Sequence, residues 1–175
     1  MANTTFDGPV RSKNGFQSIG PGAAIALTAA TNLTVAAHAG RLLTMDPVGT
    51  PTAITLPTIN STADNPIAGP GSDPSNPNTV GTTFEILFID EFTGTISTDG
   101  TDKFVGSLMV GVNDGAKKAF VPATANDVVN LNGEGAGTTG GLIGSRVKFT
   151  AIADNQYMVE GLLIGTGTVV TPFGN

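Results

Sequence analysis

The sequence predicts an all-β fold: a single compact antiparallel β-sandwich or β-barrel with an extended N-terminal arm. Three observations predict it. Gly accounts for 24 of the 175 residues and Pro for 11, and together with Thr and Asn they interrupt almost every stretch that could propagate a helix. About ten short apolar segments are separated by turn residues at the spacing of sandwiches and barrels, roughly every 8–12 residues. The chain is 39% hydrophobic with a mean hydropathy of +0.15, enough apolar material to fill a core and unlike a disordered polymer.

The elements follow in order. Residues 1–22 form a polar arm ending in Ser18-Ile19-Gly20-Pro21-Gly22, and residues 23–175 form the β domain. Ala23–Thr28 and Leu33–Ala37 have strand length, although the Ala-rich stretch 23–30 could also make a short helix by propensity. Arg41–Met45 is a strand closed by the turn Asp46-Pro47-Val48-Gly49, and Thr52–Pro57 alternates polar and apolar residues as a half-buried strand does. Residues 58–81, with their prolines, form a long loop on the surface between paired strands. Thr83–Ile89, Thr95–Ser97, Lys103–Val112, Lys117–Val121 and Asp127–Asn132 are the next strands. Gly133–Gly141 reads as a flexible loop, Arg146–Ile152 and Gln156–Glu160 as a hairpin across Ala153-Asp154-Asn155, and a last strand runs to Thr171-Pro172-Phe173.

Composition excludes several functions. There is no Cys, so disulfide scaffolds, thiolate metal sites and Cys nucleophiles are impossible. Eight basic residues against 14 acidic ones give a net charge of -6, which argues against nucleic acid as a partner. No apolar run approaches the length of a membrane span and no signal peptide is visible, so no membrane partner is expected either.

No motif points to catalysis or a cofactor. Asp99 and Asp102 lie in Thr98-Asp99-Gly100-Thr101-Asp102-Lys103, which lacks the spaced ligands of a calcium loop and reads as a tight turn. Asp90 and Glu91 are adjacent and would face opposite sides of a strand. The one histidine, His38, reads as a hydrogen-bonded loop residue with no nucleophile beside it. Gly133–Gly141 lacks the Lys and the following helix of a phosphate loop. Arg146 and Lys148 share a strand face by period two and read as solvated or intersubunit charges.

One resemblance runs through nearly the whole chain. The start Thr5-Phe6-Asp7-Gly8-Pro9-Val10-Arg11-Ser12-Lys13-Asn14-Gly15-Phe16 is followed by Gly40-Arg41-Leu42-Leu43, Ile54-Thr55-Leu56-Pro57, Gly81-Thr82-Thr83-Phe84 and Asp102-Lys103-Phe104 with Gly106. The ending has Gly144-Ser145, Gly165-Thr166-Gly167 and Thr171-Pro172-Phe173. In that order these motifs resemble small capsid decoration (cement) proteins of tailed bacteriophages, particularly the marine phage type. Tyr157 stands where that family usually has another aromatic, Trp, in the penultimate strand.

The resemblance implies a non-catalytic virion structural protein on the outer capsid surface, assembled in the host cytoplasm. Its partners would be the major capsid protein and itself, as a homotrimer. The arm residues Phe6, Arg11, Lys13 and Phe16 are the expected anchors to capsid or neighbouring subunit. A tail, vertex or head-fibre adaptor and a carbohydrate-binding β-sandwich are the alternatives. The second of these usually needs exposed Trp or Tyr for sugar stacking, and this chain has no Trp and one Tyr.

Overall fold

Successive strands of the first half alternate between two sheets, and that alternation sets the topology. The computed structural model describes residues 24–47, 52–61, 79–112, 115 and 117–175. The strands are β1 (Ala24–Leu27), β2 (Thr31–Asn32), β3 (Leu42–Met45), β4 (Thr52–Thr55), β5 (Thr83–Phe88) and β6 (Thr93–Ser97), then β7 (Lys103–Val112), β8 (Lys117–Phe120), β9 (Val128–Asn132), β10 (Arg146–Ala153), β11 (Gln156–Gly165) and β12 (Phe173–Gly174). Over the described residues the larger sheet has the order β1-β3-β5-β10-β11-β7-β8 and the smaller β12-β9-β6-β4-β2.

The fold is all-β, but the expected antiparallel pairing is corrected: both sheets are mixed. β1 with β3, β3 with β5, β2 with β4, β4 with β6, and β7 with β11 are parallel. From β1 to β6, each strand is followed by one in the opposite sheet, so sheet neighbours are two strands apart in the chain and point the same way. Alternating hydrophobicity reports which side of a strand is buried and not which sheet the next strand joins. Polar connections therefore read as hairpins when they are crossings. The expected hairpin at residues 153–155 does form, with Asn155 at φ 58°, pairing β10 with β11.

Two local expectations are also corrected. Residues 33–37 are not a strand, because Thr34 caps a helical turn, α1 (Val35–His38), its Oγ1 accepting from the Ala37 N–H at 3.3 Å. The strand expected in the Ala-rich stretch does form, as β1 (Ala24–Leu27), parallel to β3. Gly133–Gly141 is not a slack loop: Asn132 Oδ1 accepts from the N–H and hydroxyl of Thr139, and Asn132 Nδ2 donates to Thr138 Oγ1.

One hydrophobic cluster takes residues from both sheets. Leu43, Phe84, Ile86, Phe104, Val147, Phe149, Tyr157 and Leu163 come from the larger sheet, and Ile54, Ile96, Val129, Leu131 and Phe173 from the smaller. Phe104 on β7 meets Phe149 on β10 at 5.4 Å between ring centres and Phe173 on β12 at 6.5 Å, so the rings join the sheets. Asn60 and Thr79 exchange two hydrogen bonds; most of the expected long loop, residues 62–78, lies outside the described residues. No helix among the described residues is long and apolar enough to cross a membrane.

Candidate functional site

Strands of the larger sheet bury every second residue, so the others make one outward face. On β10 and β11 the outward residues include Arg146, Lys148, Thr150, Met158, Glu160, Leu162 and Ile164, and on β7 and β8 they include Met109, Gly111, Lys117 and Ala119. Cross-strand register places Leu162 beside Met109 and Met109 beside Ala119, and in the next row Ile164 beside Gly111 and Gly111 beside Lys117. Leu162 and Met109 remain 48% and 46% exposed.

The charges on this face are largely closed on themselves. Arg146 Nε meets Glu85 Oε1 at 2.7 Å, and Lys148 Nζ meets Glu160 Oε1 at 3.0 Å. Such exposed pairs add little stability, about 0–1 kcal/mol; their effect here is to leave an almost neutral surface on an acidic protein. Lys117 has no ion-pair partner among the described residues. Beside it, the missing side chain of Gly111 leaves a depression of about 370 Å³ lined by Met109, Gly111, Val112, Lys117, Leu162 and Ile164. Two further depressions adjoin it, one toward Arg146, Lys148 and Glu160 and the other toward Leu142 and Thr166.

The aspartates singled out in the sequence take structural positions at another place. Asp99 Oδ1 accepts from the N–H groups of Thr101 and Asp102, and its Oδ2 accepts from the Thr58 hydroxyl at 2.7 Å. Burial pushes its carboxyl up, but those hydrogen bonds outweigh it and hold the group below the ordinary value. Asp102 is fully buried; its Oδ2 accepts from the Ile59 N–H at 2.9 Å and its Oδ1 has no hydrogen-bond partner. Burial raises its pKa, opposed by the Ile59 N–H, and the charges of Asp99 and Asp154 push the same way as burial.

Tyr157 closes this seam. Its ring is fully buried and its hydroxyl donates to the Pro57 carbonyl at 2.7 Å, with burial pushing the phenol's pKa up. Among the described residues no group of three or more His, Asp or Glu side chains is placed to hold a metal ion. His38 is hydrogen-bonded, its Nδ1 accepting from the Thr34 N–H at 2.9 Å.

The motifs behind the resemblance occupy positions the fold needs. Gly40, Gly81, Gly144 and Gly167 have positive φ, and Ser145 Oγ accepts from the Ile164 N–H at 2.8 Å. The sequence-predicted anchors Phe6, Arg11, Lys13 and Phe16 lie outside the described residues. Lys117 is legible in the sequence only as half of the basic pair Lys117-Lys118, and Gly111 and Leu162 carry no sequence signal of their own. No protein-family model, curated protein or solved structure matches this chain.

Proposed function

We propose that the chain is a virion structural protein that binds the outer capsid surface of a tailed phage and stabilises the shell. The motif order from Thr5 to Phe173 suggests the role. The observation that carries it furthest is the outer face of the larger sheet, where exposed Met109 and Leu162 lie among self-neutralised charges. Apolar contacts flanked by paired charges suit packing against another protein, because few ions are stripped of water without a partner. We read the two sheets as a sandwich, since β1 and β8 end one sheet and β12 and β2 the other. Assembly as a homotrimer would cover some of those edges.

In this reading residues 1–22 form an anchoring arm. Quantitative mass spectrometry of purified particles tests the role: a ratio to the major capsid protein of order one supports cement. A few copies per particle would move the protein to a tail, vertex or fibre position, and absence from particles would overturn the virion reading. If the arm anchors the protein, deleting residues 1–20 abolishes capsid occupancy; full occupancy without them would refute the arm's role.

A further inference from the structure

We infer that three copies of the chain join head to tail, residues 89–91 of each seated in the depression at Gly111 of the next, with Ile89 among its apolar walls and Asp90 and Glu91 against Lys117. The inference rests on the homotrimer reading and identifies the contact that builds it.

The two halves of this contact are complementary. The depression is walled by Met109, Val112, Leu162 and Ile164 and rimmed by Lys117. Arg146 and Lys148 on the same face are already paired with Glu85 and Glu160, whereas Lys117 has no ion-pair partner among the described residues. The occupant that suits such a seat is an apolar side chain followed by a carboxylate. Among the exposed large apolar residues described, only Ile89, 47% exposed, is followed directly by one, and Asp90 and Glu91 supply two. Both carboxylates are exposed, and neither makes an ion pair among the described residues.

Residues 89–91 are also held so that they project. Phe88 before them and Phe92 after them are buried with ring centres 5.7 Å apart, and the Phe92 N–H donates to the Gly141 carbonyl at 2.8 Å. With both ends pinned, the segment meets a partner at little ordering cost. It cannot reach the depression of its own chain. The Ile89 N–H is tied to the Met45 carbonyl at 3.1 Å. β5 lies three strands from β7 in the sheet, about 14 Å at the usual spacing. The Ile89 that fills the depression therefore comes from another copy. Because the two halves are different surfaces, the contact is heterologous and repeats until a ring closes; three copies give the homotrimer. The seat lies beside β8, one of the sheet edges that a trimer would cover.

Charge exchange on the full chain tests the contact, read as the monomer–trimer equilibrium by sedimentation. Lys117→Glu alone and Asp90→Lys alone should each weaken the trimer at least about tenfold, and the two together should restore it. Ile89→Ser, which removes the apolar side chain, should weaken it similarly. The chain has no Cys, so Asp90→Cys combined with Lys117→Cys gives a second reading. Oxidation with glutathione disulfide should link different chains and end at closed trimers. Linking should be at least about tenfold faster than for Asp90→Cys with Ala53→Cys, an exposed position on β4 in the smaller sheet. A wild-type trimer indifferent to these substitutions, with equal linking rates, would overturn this contact while leaving the homotrimer intact. Links that stop at two chains would overturn the head-to-tail arrangement. A wild-type monomer at every concentration would overturn the homotrimer reading and the contact together.

Discussion

Gly106 and Gly111 lie on the same strand, β7, and are glycine for opposite reasons. Gly106 has φ +107°, and a Cβ there would collide with the Val159 carbonyl of neighbouring β11. Gly111 has no such strain; a Cβ there would find Leu162 Cδ1 and Lys117 Cγ at 3.9 Å, ordinary contact distance. The first glycine permits two strands to approach, beside the seam closed by Tyr157 and Asp102. The second leaves a hollow in a surface. The same residue type thus serves the fold in the middle of β7 and is available for contact near its end.

The largest expected effect is at the tight glycine. Gly106→Ala should destabilise the protein by about 3 kcal/mol or more, combining positive-φ strain with a backbone clash, as read by urea unfolding. A loss under about 1 kcal/mol would mean that β7 and β11 are not held so closely. Tyr157→Phe should cost about 1–2 kcal/mol, because the buried Pro57 carbonyl loses its donor; thermal unfolding measures it. At the open end the sign reverses. Gly111→Val should stabilise by about 0.5–1 kcal/mol in urea unfolding, since a branched residue suits a strand better than glycine.

The smallest effects separate the two aspartates of the turn. Asp99 has a lowered pKa, so its contribution is present above the unfolded value and is lost as pH falls through the folded one. Asp102 has a raised pKa, so its contribution is present below the unfolded value and is lost as pH rises through the folded one. Between about pH 3 and 6, around the ordinary carboxylate value, denaturant unfolding of each Asn variant beside wild type should give slopes of opposite sign. As pH rises, wild type should gain on Asp99→Asn and lose against Asp102→Asn. Slopes of one sign would contradict the environments described for the pair.

Strand positions were legible because period-two patterning is local: Phe84, Ile86 and Phe88 announce the buried side of β5 without reference to anything distant. Strand direction was not, because it depends on which sheet the chain enters after each turn. The aspartate turn was legible from Asp-Gly chemistry, but the burial of Asp102 was not, since it comes from Ile59, some 40 residues away in the chain. The outer face was half-legible. Arg146 and Lys148 were placed on one side, whereas Glu85, Leu162 and Lys117 join them only through register with three other strands.

The central claim is that this domain strengthens a shell, and heat-induced genome release tests it directly. Particles made without the protein should release DNA at a lower temperature than complete ones, and purified wild-type protein added back should restore the difference. Equal release temperatures, with the protein demonstrably bound in one sample and absent from the other, would contradict the account.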